Sequence, residues 1–270
     1  MKFSIVTVCY RQEQHIVDFL SSVGALESPE VQLDRVIIVD NYGSCEVEAA
    51  AFPNINVEIL KSSNVGYLRG LGIGVNQALK QSVDFVILCN PDLKFMSRIE
   101  DNVSLALRDL WVVAPQIVDL DGAQQNPNRT RPFSLVELVV WEVMMRSYLL
   151  YQVIPKLKSI FKYLAHCWKD SIDLNKCAPD GPIFLPHGSC MLMSASLLRR
   201  ADFFREQIFL WGEEAIIGGI AREVGPGVTF ISSLKVEHAS HSATSKIPTK
   251  EKYLIWRSSW NIYKKYLYKR

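Results

Sequence analysis

Residues 84–92 read Asp84-Phe85-Val86-Ile87-Leu88-Cys89-Asn90-Pro91-Asp92. The apolar run is too short for a helix and reads as a strand covered on both faces. Pro91 stops it, because proline has no ladder N–H and restricts the residue before it. Working outward, Phe3–Cys9 is a run of the same kind, Arg35–Val39 ends at Asp40, and Asn56–Leu60 and Trp111–Val118 complete a set of five strands. Between them, Gln12–Ala25 has helical spacing at Ile16, Phe19, Leu20 and Val23, and a helix runs through Val75–Lys80 after a glycine-rich stretch. Strands alternating with helices predict an α/β fold around a mostly parallel sheet. In such sheets ligands bind beyond the carboxyl ends of the strands. Cys9-Tyr10, Asp40-Asn41 and Asn90-Pro91-Asp92 therefore face one crevice.

After about Gly122 the pattern becomes less regular. Gln124–Pro132 is a polar loop and Phe133–Trp168 an apolar, aromatic helical region. Beyond it come a strand at Cys190–Met193, a helix over Glu213–Val224, and two short strands near Thr229–Ile231 and Lys235–Glu237. Lys250–Arg270 is an aromatic and basic helix. The expected organisation is one domain with halves at 1–122 and 123–249, followed by the helix 250–270.

Composition narrows the function. Thirty basic against twenty-eight acidic residues in a chain of 270 leave a charge of +2, which argues against nucleic acid as a partner. The 49% hydrophobic content supports a large core. Six cysteines without a C-x-x-C pair do not form a disulfide framework or a cysteine-rich zinc site, which points to a reducing cytosol. The apolar N-terminal run stops at Arg11-Gln12, too soon for a signal peptide or a membrane span. The most apolar region, Phe133–Ile154, is broken by Glu137, Glu142 and Arg146.

Five clusters can carry chemistry, and each has a plainer reading. Asp40 at a strand end can hold a nucleotide's base or ribose, or simply bind the amides of its own turn. The stretch Asn64-Val65-Gly66-Tyr67-Leu68-Arg69-Gly70-Leu71-Gly72-Ile73-Gly74 offers amides and a cation to a diphosphate, or packs closely on the sheet. Asp92 suits Mg²⁺ or Mn²⁺ shared with substrate phosphates, or caps a proline-terminated strand. Glu213-Glu214 supplies a general base, or complements a helix dipole. His238, with His241 three residues on, is a metal ligand or an ordinary hydrogen-bonded histidine.

In order and spacing these pieces resemble the family-2 glycosyltransferases of bacterial surface-polysaccharide synthesis, particularly their rhamnosyltransferase-like branch. The matching segments are Val6-Thr7-Val8-Cys9-Tyr10, Val39-Asp40-Asn41, Asn64 to Gly70, Asn90-Pro91-Asp92, Gly188-Ser189-Cys190-Met191-Leu192-Met193, Phe209-Leu210-Trp211-Gly212-Glu213-Glu214, and His238. The resemblance implies a GT-A fold and an inverting, metal-dependent hexosyl transfer from a nucleotide-sugar. The donor would be a dTDP- or UDP-sugar, with dTDP-rhamnose first. It implies nucleotide-sugar contacts at Thr7, Tyr10, Asp40, Asn64, Gly66, Arg69 and Asn90. Asp92 and His238 would hold Mg²⁺ or Mn²⁺, and Glu214, with Glu213 as its rival, would be the base. The implied acceptor is a glycan or a polyprenyl-diphosphate-linked sugar.

Two departures stand out. Ala215-Ile216-Ile217 follows the acid pair where the family continues with polar residues, and Leu71-Gly72 stands where it often has Asn. The departure after Glu214 motivates an alternative, a catalytically weak nucleotide-sugar or glycan binder within a polysaccharide assembly. The aromatic and cationic residues of 133–168 and 253–270 suit the interface of an anionic membrane, or else a helix docked on the core or a dimer contact. With a lipid-linked acceptor, the expected place is peripheral, on the cytoplasmic face of the inner membrane.

Overall fold

The structure, a computed structural model, describes residues 1–43, 45–47, 51–155, 178–239 and 247–268. Ser44, the Lys156–Trp168 part of the long helical region, Cys177, Ser240-His241, Lys269 and Arg270 lie outside them. The first half runs β1 (Lys2–Cys9), α1 (Glu13–Ser22), β2 (Gln32–Asp40), β3 (Val57–Lys61), α2 (Tyr67–Ala78), β4 (Phe85–Cys89), β5 (Leu93–Phe95), α3 (Asp101–Arg108) and β6 (Val112–Asp119). The second half adds α4 (Leu135–Met144), β7 (Gly181–Ile183), β8 (Cys190–Ser194), α5 (Ala195–Arg200), α6 (Glu213–Val224), β9 (Val228–His238) and α7 (Thr249–Leu267). Residues 148–155 are also helical.

Among the described residues nine strands form one sheet in the order β3-β2-β1-β4-β8-β6-β9-β5, with β7 paired to β9. The block β3-β2-β1-β4 is parallel throughout. β8 then runs antiparallel between β4 and β6, so a strand of the second half is inserted into the sheet of the first. The α/β class expected from the alternation is the one found. Period-two alternation divides the strands cleanly: Val6, Val8, Ile37, Val39, Val86 and Leu88 face one core layer, and Phe3, Ile5, Val36, Ile38, Phe85 and Ile87 the other. All of these are buried.

Three local differences from the sequence reading have physical causes. The helix expected from Val75 begins eight residues earlier, at Tyr67, so the glycine-rich stretch is itself helix. Its glycines are there for contact: a Cβ on Gly70 would stand 2.9 Å from Val8 and one on Gly72 2.7 Å from Phe204, while one on Gly74 would collide with Val6. The two short strands near the C-terminal end of the sheet are one strand, β9. Its ladder with β6 jumps from Pro115–Ile231 to Gln116–Lys235, beside a proline that cannot donate. β5 and β7, three residues each and holding Lys94 or Gly181-Pro182, carry no apolar run to reveal them.

The C-terminal helix turns its aromatic side toward the core. Tyr253, Trp260, Tyr263 and Tyr266 of α7 are buried against the core rather than presented outward. Trp260 stacks on Trp141 of α4 at 5.8 Å, and its indole N–H donates to Glu142 Oε2 at 3.0 Å. Lys264 pairs with the same carboxylate at 3.0 Å, and Lys265 with Glu206 at 2.8 Å. The docked-helix alternative is therefore the one observed. Among the described residues no helix is long and apolar enough to cross a membrane.

Candidate functional site

The strand ends of the parallel block behave differently from one another. Asp40 sits where the sequence placed it, at the carboxyl end of β2, fully buried. Its Oδ1 accepts from the amides of Tyr42 at 3.0 Å and Gly43 at 2.8 Å, and its Oδ2 from Cys45 at 3.0 Å. The carboxylate thus fixes its own turn, the plainer of the two readings. That turn carries an exposed Tyr42, whose ring meets Tyr10 edge-on at 5.4 Å. The Arg11 guanidinium lies 4.4 Å over the Tyr42 ring and donates to its hydroxyl at 3.2 Å. Tyr10 was a candidate; Tyr42 and Arg11 were not, and they join it only through the fold.

Alternation along β1 turns Thr7 to the same side as Ile5 and Cys9, and it is fully buried between β2 and β4. The α2 entry keeps Asn64 and Arg69 exposed. Gly66 has φ +85, and a Cβ there would lie 2.6 Å from the Phe209 carbonyl, which accepts from Tyr67 N–H at 3.0 Å. Gly66 therefore ties the helix entry to the segment leading to the acid pair. Asn41 bridges the same corner, its amide donating to Gly66 O at 3.2 Å. Asn90 at the end of β4 donates its backbone N–H to Ser189 O at 2.9 Å.

Asp92 is placed quite differently from Asp40. It is 6% exposed, and among the described residues neither carboxylate oxygen has a well-aligned hydrogen-bond donor. His238, at the end of β9, brings Nε2 to 3.3 Å from Oδ1, an ion-pair distance without hydrogen-bond alignment. Burial pushes the Asp92 carboxyl upward, but the His238 ring outweighs it and holds the group below the usual carboxylate value. Gln125 Oε1 sits 2.7 Å from His238 Nδ1 and sets the ring's orientation. A buried carboxylate without donors is costly unless something binds it. Two oxygens and an imidazole nitrogen turned toward each other fit a hard divalent cation that also takes substrate oxygens. Among the described residues no group of three or more His, Cys, Asp or Glu side chains forms a complete metal site, so such a cation would depend on the bound substrate for its remaining ligands.

The acid pair opens α6. Gly212, at φ +102, turns the chain into the helix beneath the Tyr263 ring. Glu213 points inward over the 187–189 loop: a Cβ on Gly188 would lie 2.6 Å from its Oε1, and its buried Oε2 accepts nothing. Burial, then the neighbouring Glu214 charge, pushes the Glu213 carboxyl up to about 8. Glu214 is half-buried, and burial raises it as well. Tyr67, desolvated and beside Glu213, has its phenol held well above the ordinary value, and its hydroxyl donates to Gly188 O at 3.4 Å.

One ring in this cluster escaped the sequence reading. His187 packs edge-on against His238, with centroids 5.6 Å apart. Burial, then the nearby His238, lowers its imidazole to about 4. The available signal was Pro186-His187-Gly188-Ser189, a polar turn just ahead of an apolar strand; a lone histidine has no spacing to mark it. Four described cysteines, Cys9, Cys45, Cys89 and Cys190, are buried and free, and none belongs to a metal cluster.

No family model matches the chain. The low-salt glycan biosynthesis hexosyltransferase Agl10 of Haloferax volcanii is 23% identical over 221 residues, which cover 78% of this chain and 58% of that protein. The chain thus spans little more than half of that curated relative. Among solved structures, S. aureus TarS superposes with a TM-score of 0.55 at 12% identity, covering 96% of this chain and 39% of that one. Its 1–349 fragment in complex with UDP-GlcNAc gives 0.56 at 13% identity, over 92% of this chain and 62% of the fragment. GalNAc-T7 with UDP, GalNAc and Mn²⁺ gives 0.60 at 14%, over 99% and 50%. At these identities the likeness is one of fold, and the fold is GT-A.

Proposed function

We propose that this protein transfers a sugar from a nucleotide-sugar to an acceptor hydroxyl during glycan assembly, with inversion at the transferred carbon. One observation carries the reading: a buried carboxylate without donors, Asp92, faces His238 at the same crevice that receives an acid pair held above its ordinary titration range. Asp92 and His238 would hold Mg²⁺ or Mn²⁺, which when bound offsets charge on a leaving diphosphate. The rings of Tyr10 and Tyr42 with Arg11 offer a nucleobase a stacking edge, and Asn64, Gly66, Arg69 and Asn90 lie along the route toward the diphosphate. Asp40 serves this route through the turn it fixes. Glu214 takes the proton from the attacking hydroxyl, a choice supported by the match of the motif and by its being less buried than Glu213.

Agl10 by name, and the nucleotide complexes of TarS and GalNAc-T7, support this class of reaction. The resemblance of the motifs favours dTDP-rhamnose over UDP-sugars as donor, and a glycan or polyprenyl-diphosphate-linked acceptor at the cytoplasmic membrane face. Ala215, Ile216 and Ile217, which motivate the weak-binder alternative, are buried in the core by α6.

The test is calorimetry of dTDP-rhamnose and UDP-GlcNAc with and without Mn²⁺, together with nucleoside diphosphate release in the presence of acceptors. Asp92→Ala should stay folded and lose the Mn²⁺-dependent part of donor affinity, about 10- to 100-fold for a charged contact. Unchanged Mn²⁺-dependent affinity in that variant removes Asp92 from the metal site.

A further inference from the structure

We propose that His187 is a donor-binding residue whose neutral ring presents Nε2–H to an oxygen of the bound nucleotide-sugar; this rests on the nucleotide-sugar reading above. The loop that carries it is pinned from four directions. His187 N–H donates to Asn126 Oδ1 at 2.9 Å, and the fully buried Asn126 is itself anchored through Nδ2 to Pro115 O at 2.7 Å. Ser189 O accepts from Asn90 at the end of β4. Gly188 O accepts from Tyr67 of α2, and Gly188 leaves no room for a side chain beneath Glu213. A loop held by β4, α2, α6 and the segment after β6 has little freedom, so its one ring has a set place.

The tautomer follows from the same loop. Ser189 N–H donates to His187 Nδ1 at 3.2 Å, and Ser189 Oγ lies 2.8 Å from the same atom. A nitrogen that accepts from a backbone amide carries no proton, so in the neutral ring the proton sits on Nε2. Nε2 has no hydrogen-bond partner among the described residues, and the ring edge lies against His238, beside the Asp92 pair. A protonated Nε2 is not a metal ligand; it is a donor. Placed next to two cation ligands, an uncharged N–H can reach a ligand oxygen without repelling a cation. The two oxygens within this description are those of the diphosphate and those of the transferred sugar.

The experiment separates turn-holding from ligand contact. In His187→Asn the side-chain oxygen can replace Nδ1 as acceptor of the Ser189 amide, but the far N–H is gone. In His187→Gln the side-chain amide can reach the far position, but the turn acceptor is lost. Calorimetry is run on the whole chain with dTDP, dTDP-rhamnose, UDP and UDP-GlcNAc in Mn²⁺, with thermal melts of each variant alongside. We expect His187→Asn to melt like wild type and bind about tenfold more weakly, as for one hydrogen bond to a charged or polar oxygen. His187→Gln should recover most of that affinity even if it melts lower. A loss shared by nucleoside diphosphates and nucleotide-sugars assigns the contact to the diphosphate; a loss confined to nucleotide-sugars assigns it to the sugar. Wild-type affinity in His187→Asn overturns the proposal alone, and so does a defect that tracks melting temperature across the variants. Failure of wild type to bind any of the four overturns it together with the reading it rests on.

Discussion

The end of β2 and the end of β4 each place a buried carboxylate at the same crevice, and the two are treated in opposite ways. Asp40 has three backbone amides within 3.0 Å, all from the turn that follows it. Asp92 has no such set of well-aligned amides among the described residues, and pairs with the imidazole of His238. The three amides make Asp40 a fixed part of the scaffold. Desolvation without donors makes Asp92 a vacancy for charge. Glu213 belongs with Asp92: its Oε2 is buried and accepts nothing among the described residues. Buried acids in this fold thus divide into those the backbone satisfies and those it does not, and mutation should separate the two kinds.

The largest effect expected is on turnover at the unsatisfied region. Glu214→Gln keeps volume and much of the hydrogen bonding but cannot accept the hydroxyl proton, so transfer should fall on the order of 10²–10⁴-fold. Donor affinity should hardly change, because the base acts on the acceptor in the transition state. Steady-state nucleoside diphosphate release, read against calorimetric donor affinity, checks both halves. Near-wild-type turnover here, with loss in Glu213→Gln, would move the base one residue toward the N-terminus.

Next comes the satisfied region, where the effect should be on folding. Asp40→Ala leaves the amides of Tyr42, Gly43 and Cys45 without their acceptor inside the protein, a cost of about 3 kcal/mol. Urea unfolding should show a lower midpoint with an unchanged slope. The comparison breaks if Asp40→Ala unfolds like wild type yet loses nucleotide affinity, for then its carboxylate would be serving the ligand and not the turn.

The same division explains what could be read from the sequence. β1, β2, β4 and β6 announce themselves because each carries an apolar run with residues buried on both faces, while β3, the half-buried edge strand Val57–Lys61, shows only through Val57, Ile59 and Leu60; four of these five pair in parallel within one block. Asp40, Asp92, Glu213, Glu214 and His238 were legible as residues at element ends. Their states were not, since nothing in Val39-Asp40-Asn41 or Pro91-Asp92-Leu93 says which acid will meet amides. His187, Gln125 and Asn126 lie in loops whose positions depend on β8 entering between β4 and β6, a long-range pairing that leaves no local periodicity. The aromatic face of α7 could be recognised but not assigned, because an amphipathic stripe looks alike whether it meets lipid or α4 and α6.

The smallest expected effect is also the one with a definite sign in pH. Glu213 is buried, and its carboxyl is pushed from 4.5 up to about 8. In the unfolded chain it ionises above about 4.5, while in the folded protein it stays protonated until about 8. Across that window the folded state binds more protons, so the contribution to stability is fully present below the unfolded value. It declines as pH rises toward the folded one and is flat beyond it. Gln at this position cannot ionise in either state and carries no such slope. Glu213→Gln should therefore be more stable than wild type at pH 8, by on the order of 2 kcal/mol, because the two acids share the titration. The gain should shrink to near zero at pH 4.5. Urea unfolding of both proteins at pH 4.5, 6 and 8 reads this directly. Parallel stability curves would mean that Glu213 finds a donor in the folded state as Asp40 does, and the division between satisfied and unsatisfied acids would then exclude it.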